Sequence, residues 1–257
     1  HALKNRIVEL IPATLRELIQ SRIDRLDART RQTLQCASLL GDDFAFSLIE
    51  MFDIIRDGLV GRLQSLLALR YLEERPAPRE LTYFFTHGLF RDVAYSTLLE
   101  EQKQRLHGAQ ARRLEEAFAD RIAEYCELLA YHFERAGESE RALYYLVKAA
   151  DRQAGLGGGG TALANYHEAI ELLRGLPPTA ARRTLMARVL IRCARIYRGL
   201  GRQDESDEAL EMALECAADL DNERLALEAR LEQSIGMAQR GRIGQRRLHR
   251  AGPLQMA

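Results

Sequence analysis

The chain has 257 residues, 47% of them hydrophobic and 29% charged, which is typical of a folded protein with one or two domains. Its 37 Lys and Arg residues equal its 37 Asp and Glu residues in number. This balance argues against a dedicated nucleic-acid or membrane-surface binder, since both partners favour a basic excess. No apolar run is long enough to span a bilayer, and no signal-peptide pattern opens the chain. We therefore expect a cytoplasmic protein whose four separated cysteines stay reduced.

Apolar residues recur at helical spacing through the first part of the chain. The pattern predicts helices over about 12–26, 28–40, 47–52 and 57–70. Pro12 is suited to the first turn of the first helix, because proline lacks the N–H that a helix start leaves unpaired. A short turn that contains Phe44 and Phe46 precedes the third helix.

A different pattern follows these helices. Two apolar or aromatic runs, 71–74 and 81–85, flank the connector Arg75-Pro76-Ala77-Pro78-Arg79. Prolines between two such runs indicate a small β-hairpin. Because helices followed by a hairpin are typical of a winged helix, we predict a winged-helix-like module over residues 1–99, with its wing near 71–86. Residues 100–122 are predicted to form a connecting helix.

A helical repeat pattern begins near Tyr125. Tetratricopeptide repeats need small residues where two helix backbones approach and bulky residues where side chains interlock. Two segments match this pattern fully, at Ala130, Phe133, Gly137, Ala142, Leu146 and Ala149 and at Ala194, Tyr197, Gly201, Ser206, Leu210 and Ala213. Partial matches occur at Gly157, Ala162, Tyr166 and Ala169 and at Ser234, Met237 and Gly241. The predicted fold is therefore all-α with one small β-hairpin, with tetratricopeptide-type repeats over 123–257 and an incomplete last repeat.

The sequence contains no recognisable catalytic motif. A P-loop places a lysine directly after a glycine, but Lys4, Lys103 and Lys148 are the only lysines and none follows a glycine. No Gly-x-Ser-x-Gly elbow, His-Glu-x-x-His pair or Cys/His metal spacing occurs, and the six histidines are dispersed. We therefore expect no enzyme activity, metal or cofactor in this chain.

Three stretches carry a resemblance to a known family. They are IPATL at 11–15, RIDRL at 22–26 and FTHGLFRDVAY at 85–95. On the basis of these stretches, the region from about residue 8 to 235 resembles the C-terminal part of bacterial STAND ATPases. These signal-transduction ATPases are often fused to adenylate or guanylate cyclase domains or to protein kinases. The resemblance implies that a P-loop ATPase core lies upstream of His1 and that the full-length protein binds ADP and ATP.

The same resemblance implies a nucleotide-sensing role for two residues. In this superfamily, a histidine in a Met-His-Asp-Leu-like motif contacts the β-phosphate of ADP and holds the closed state. The matching run is Thr86-His87-Gly88-Leu89, so the role falls on His87, although Thr replaces Met and Gly replaces Asp. Pro12 resembles the family's proline near the adenine. The structural alternatives are a packed histidine at a helix start and an ordinary helix-start proline.

The predicted repeats suggest where a partner binds. Tetratricopeptide grooves hold extended or helical peptides through the first helix of each pair. The candidate contact residues are Glu127, Tyr131, Glu134, Arg188, Arg192 and Arg195. Each of them could instead belong to a solvated helix face. The favoured hypothesis is a sensor and scaffold in which the repeats bind a protein or peptide and the winged helix couples binding to the upstream ATPase. Self-association through an uncapped last repeat is also open.

The alternative function is transcriptional regulation, with the winged helix contacting DNA. The helix over about 57–70 offers Arg62, Gln64 and Arg70, and Glu73 and Glu74 follow it. This is a weak electrostatic match to phosphates, so nucleic acid is not the expected partner. A basic run near the C-terminus, which could contact nucleic acid or an acidic partner or form a frayed tail, contains Arg240, Arg242, Arg246, Arg247 and Arg250.

Overall fold

The computed structural model of the protein describes the backbone of residues 13–76 and 80–250 and the side chains of residues 15–76 and 80–240. Within these ranges the chain is mostly helical with one small three-stranded sheet, which confirms the predicted fold class. The chain forms two compact units that divide between Glu138 and Ser139, inside the first predicted repeat. Pro12 and the predicted terminal arginines after Arg240 lie outside the described side chains.

The first unit contains the sheet and the shorter helices. Its elements in chain order are α1 (Ala13–Asp24), α2 (Ala28–Ser38), β1 (Asp43–Ala45), α3 (Phe46–Glu50), a 3₁₀ turn (Asp53–Ile55), α4 (Leu59–Ala68), β2 (Leu72–Pro76), β3 (Leu81–Phe85), α5 (Gly88–Ser96), α6 (Glu100–Ala117), a second 3₁₀ segment (Ala119–Glu124) and α7 (Cys126–Arg135). The described part of the second unit contains only helices. They are α8 (Ser139–Gly155), α9 (Gly159–Gly175), α10 (Ala180–Gly199), α11 (Gln203–Ala218) and α12 (Glu223–Arg250).

The predicted hairpin is present, and a third strand extends it. Strands β2 and β3 pair antiparallel, and β1 pairs with the other edge of β3, so the strand order is β1-β3-β2. The sequence pattern predicts only a turn around Phe44. The residues there form a strand because Phe44 faces the core opposite Tyr83, and the two rings stack with centroids 5.7 Å apart. Strand β1 is only three residues long, too short for alternation to reveal it.

The core of the first unit combines residues from the sheet and from the helices. Strand β3 alternates, with Tyr83 and Phe85 buried and their neighbours partly exposed, as expected for a sheet covered on one side. Helix α4 contributes Leu63 and Leu66, both almost fully buried, at helical spacing on one face. These side chains belong to one continuous hydrophobic cluster with the buried faces of α1, α2 and α5. The cluster includes Phe90 and so holds the start of α5, next to His87, against the core.

The second unit is built from antiparallel helices joined by tight turns. Helix α8 packs on α9, and α10 packs on α11, which in turn contacts α12. Gly157 and Gly201 end the helices before each turn with φ of +81° and +77°, values that favour glycine. At the second turn the N–H of Arg202 donates to the carbonyl of Tyr197 at 2.9 Å, and that of Gly201 donates to Arg198 at 3.1 Å. The repeat pattern in the sequence includes both glycines.

The repeat pattern accounts for one polar residue in the core of the second unit. Ser206 takes the place of an alanine in the second full match and is 2% exposed. Its hydroxyl donates to the carbonyl oxygen of Ala194 at 3.0 Å, so the buried polar group is satisfied. Ala194 is the small residue of the same match and is fully buried. A close approach of α10 and α11 at this point explains why both positions hold small side chains.

Candidate protein-binding site

An open cleft lies within the second unit, formed by α9, α10 and α11, and has a volume of about 230 Å³. We call it the α9–α11 cleft. Apolar side chains form its floor: Ile170, Leu190, Cys193, Ala209 and Met212. Polar side chains surround the opening: His167, Glu171, Arg174, Glu205 and Glu208, with the Tyr197 phenol beside them. A concave apolar surface with a few polar groups at its edge is the usual form of a ligand-binding site.

Tyr197 organises one wall of the cleft. Its hydroxyl is 2.7 Å from Nε2 of His167, which connects α10 to α9. The guanidinium of Arg202 lies over its ring, 4.6 Å from the centroid, and donates to Glu205 at 2.8 Å. Burial is the main cause of the raised pKa of Tyr197, and Glu205 and Glu208 raise it further. The phenol therefore stays neutral and keeps its hydrogen bond at physiological pH.

The carboxylates at the opening differ in their partners. Glu171 accepts from Arg174 at 2.7 Å, and Glu205 accepts from Arg202. That hydrogen bond from Arg202 is the main cause of the lowered pKa of Glu205. Glu208 is exposed and forms no hydrogen bond or ion pair with any residue that the structure describes. Its charge is thus the one at the opening that remains uncompensated within the described chain.

Cys193 lies in the floor of the cleft and is 1% exposed. Burial raises the pKa of its thiol to about 12, so the thiol is protonated at neutral pH. A protonated buried thiol packs as a small apolar group and is a poor nucleophile. The other cysteines are free thiols as well, and Cys36 has a pKa raised by burial to about 12. Cys193 is therefore a packing residue of the cleft floor.

The predicted partner-binding residues fall on two helices. Glu127, Tyr131 and Glu134 lie on α7, in the first unit, where the Tyr131 ring packs edge-on against His107. Arg188, Arg192 and Arg195 lie on α10, in the second unit. None of the six lines the α9–α11 cleft. Sequence periodicity located α10 but could not identify which of its faces remains open, because that depends on how α9 and α11 pack.

Two of the three candidate arginines stabilise the second unit internally. Arg192 forms an ion pair with Asp151 of α8 at 3.4 Å. Arg195 donates to Glu232 at 2.8 Å and to Glu228 at 3.0 Å, both on α12. Arg188 is exposed and has no such contact among the described residues. The sequence could not reveal these pairings, because the partners lie 33 to 41 positions apart along the chain.

His87 is placed at the start of α5. It is the residue that precedes the first helical turn, its carbonyl accepts from the N–H of Phe90 at 2.9 Å, and its side chain is exposed. Its ring stacks on the Phe90 ring with centroids 6.0 Å apart. No hydrogen bond to a described residue occupies either ring nitrogen. The imidazole is therefore presented to solvent.

A buried histidine pair joins α6 to α7, and nothing in the sequence pattern indicated it. Nδ1 of His107 on α6 lies 2.8 Å from Nδ1 of His132 on α7, and both side chains are fully buried. Nε2 of His107 is 3.3 Å from the Tyr95 hydroxyl, whereas Nε2 of His132 is buried without a partner among the described residues. Desolvation is the main cause of the lowered pKa values, about 2 for His107 and about 3 for His132. The two residues are 25 positions apart, so no spacing rule relates them.

The described residues contain no group of three or more His, Cys, Asp or Glu side chains that could hold a metal ion. Over the same residues, no helix has both the length and the apolar character needed to cross a membrane. No protein-family model, no curated protein and no solved structure matches the chain.

Proposed function

We propose that this chain is the non-catalytic regulatory part of a signal-transduction ATPase of the STAND type. The repeats in the second unit bind a segment of a protein partner in the α9–α11 cleft. The first unit acts as a winged-helix-like module that couples this binding to the nucleotide state of an ATPase domain in the full-length protein. The observation that carries the proposal is the cleft, an apolar floor with a polar opening between packed helices.

The form of the cleft favours a peptide segment. It is partly open to solvent, so a side chain of an extended peptide can enter it. Its helices are held by buried contacts on their other faces, including Val189 and Leu210. Such a preorganised surface lowers the entropy cost of binding. A protein-binding scaffold is therefore the simplest use of this unit.

The position of His87 supports the proposed coupling to a nucleotide. An exposed imidazole N–H at a helix start can donate to a phosphate oxygen. The same contact is released when the module moves away, so the histidine can report which nucleotide is bound. The residue pattern around His87 and the exposure of its ring both suit this role.

The DNA-binding alternative has less support. Arg62, the best candidate for base contact on α4, donates instead to the hydroxyl of Thr33 at 2.7 Å and to the carbonyl of Asp57 at 2.7 Å. It also donates to the carbonyl of Ile55. A guanidinium that satisfies three acceptors of its own unit cannot reach into a DNA groove without breaking them.

The nucleotide role is tested by ADP retention in the complete gene product. We expect His87→Ala to weaken ADP binding roughly tenfold, the effect of losing one hydrogen bond to a charged group. His87→Gln keeps an N–H donor and should retain part of the affinity. Gln104→Ala, an exposed change on α6, is the control. Equal ADP affinity in the wild type and in His87→Ala would remove the nucleotide-sensing role.

A further inference from the structure

The charges around the α9–α11 cleft indicate the chemistry of its occupant. The opening contains the carboxylates of Glu171, Glu205 and Glu208 and the guanidinium of Arg174. Carboxylates thus outnumber cations there, although the whole chain is neutral. A concave site that concentrates one sign of charge attracts ligands of the opposite sign.

Helix α11, which forms one wall of the cleft, is acidic along its length. Its sequence QDESDEALEMALECAA contains no Lys or Arg. The acidic residues are Asp204, Glu205, Asp207, Glu208, Glu211 and Glu215. Arg202 compensates Glu205 and Arg240 compensates Asp207, but Glu208 has no partner among the described residues. The uncompensated carboxylate faces the cleft rather than the opposite side of α11.

The cleft already shows how a guanidinium can be held beside it. Arg202 packs over the Tyr197 ring and donates to Glu205, which combines a cation–π contact with a charged hydrogen bond. Glu208 influences the same phenol, since its charge raises the pKa of Tyr197. A second cation that enters the cleft would meet the Glu208 carboxylate, which has no partner among the described residues.

The apolar floor suits the stem of a long basic side chain. Met212 and Ile170 line the floor below the carboxylates, and the volume of about 230 Å³ is that of one or two side chains rather than of a whole helix. Arg and Lys bury their methylene stems on apolar surface while the charged end stays near polar groups. An acidic peptide would instead bring its carboxylates against Glu208 without compensation.

We propose that the α9–α11 cleft binds a basic peptide segment, inserting an Arg or Lys side chain whose stem lies on Met212 and whose charge pairs with Glu208. This proposal depends on the proposed function and specifies the class of partner. It distinguishes a basic partner from the acidic or purely apolar segments that repeat grooves can also bind. It also assigns to Glu208 the main role in selecting the partner.

The chain contains no tryptophan, so short peptides that carry one Trp report binding directly by fluorescence. We would titrate the whole chain with three peptide pools of equal Leu and Ala content that contain Arg, Gln or Glu at the variable polar positions. The Arg pool is expected to bind most tightly and the Glu pool most weakly. Added salt should reduce the difference, because a partly exposed charge pair is screened.

A matched pair of variants locates the effect. Glu208→Arg should weaken binding of the Arg pool about tenfold at low salt, as expected when an attraction between partly exposed charges becomes a repulsion. Glu215→Arg makes the same change in net charge on the same helix, two turns and so about 10 Å along the axis from Glu208 and outside the cleft lining. It should have less than about a third of that effect, because its charge acts on the ligand over a longer distance. Circular dichroism checks that both variants stay helical.

The outcomes distinguish a failure of the basic-segment proposal from a failure of the proposed function. Tight binding of the Arg pool that only Glu208→Arg weakens supports both. If the Gln or Glu pool binds as well as the Arg pool, or both variants weaken binding equally, the basic-segment proposal is wrong while peptide binding by the repeats stands. If no pool binds, the cleft is not a peptide site, and the basic-segment proposal and the peptide-binding part of the proposed function are both wrong. ADP retention decides the role of His87 separately.

Discussion

At the scale of single residues, the buried histidine pair sets how the protein responds to pH. In the unfolded chain His107 and His132 take up protons near pH 6.5, whereas burial keeps both neutral in the folded chain down to about pH 3. The unfolded state therefore binds more protons as the pH falls. We expect the free energy of unfolding to decrease by about 1.4 kcal/mol per histidine for each pH unit below 6.

Urea unfolding between about pH 7 and 5.5 measures this dependence before most carboxylates titrate. The double variant His107→Leu/His132→Leu should show a much flatter profile over the same range. Gln104→Leu, an exposed change to the same side chain on the helix of His107, is the control and should keep the slope of the wild type. A wild-type stability that does not change over this range would show that the pair is not buried and neutral.

Arg70 adopts a backbone conformation that favours glycine. Its φ is +59°, and it ends α4 with the hydrogen bonds Arg70 N–H to Leu67 and Tyr71 N–H to Leu66, both 3.0 Å. A left-handed conformation costs a residue other than glycine roughly 1–2 kcal/mol. Replacement by glycine removes this strain, but part of the gain is lost because glycine has more conformational entropy in the unfolded chain. We expect Arg70→Gly to raise the free energy of unfolding by about 0.5–1 kcal/mol in denaturant titrations.

The reverse change provides the comparison. Gly201 has a similar φ, +77°, at the turn between α10 and α11, and a Cβ added there would have no heavy atom within 4 Å beyond its chain neighbours. Gly201→Ala should therefore destabilise the chain by about 1 kcal/mol through backbone strain alone. If Arg70→Gly destabilises the protein, the backbone of the turn after α4 is not left-handed at Arg70.

At the scale of elements, a partly buried ion-pair cluster attaches α12 to α10. Glu232 is 7% exposed and accepts from Arg198 at 2.5 Å and from Arg195 at 2.8 Å. Burial alone would raise the pKa of Glu232, but the hydrogen bonds from the two arginines outweigh it and hold the pKa below its ordinary value. Arg198 also donates to the backbone carbonyl of Glu232 at 3.1 Å.

Removing the carboxylate leaves Arg198 largely buried without its charge partner. We expect Glu232→Gln to destabilise the second unit by about 3 kcal/mol, the usual cost of breaking one side of a buried pair. Glu228→Gln removes only the more exposed contact of Arg195 and should cost less than about 1 kcal/mol. Thermal unfolding of both variants makes the comparison, and equal effects would mean that burial does not strengthen the Glu232 pairs.

The elements differ in how far the sequence predicts them. The β2–β3 hairpin and the tight turns at Gly157 and Gly201 follow from local chemistry, since proline, glycine and aromatic residues restrict the backbone directly. The open face of α10 could not be predicted. The sequence predicts Arg192 and Arg195 on a partner-binding surface because they lie on the first helix of a predicted repeat. In the structure they form ion pairs with α8 and α12, which are distant in sequence. Glu208 was missed because an acidic helix surface gives no sign of which carboxylate faces a cleft.

At the scale of the whole molecule, the two compact units have separate tasks in the proposed function. In that proposal the first unit, which carries His87, would contact a nucleotide-bearing domain, and the second unit, which contains the α9–α11 cleft, would bind the partner. Coupling between them requires that partner binding and nucleotide binding change each other's affinity, because linkage between two sites is reciprocal.

Calorimetric titration with ADP and ATP, of this chain and of the complete gene product, tests the proposed function most directly. We predict that this chain alone gives no binding heat with either nucleotide, that the complete product binds ADP, and that His87→Ala weakens that binding. Binding of nucleotide by this chain alone, or a complete product that binds none, would contradict the assignment of the chain as the regulatory part of a nucleotide switch.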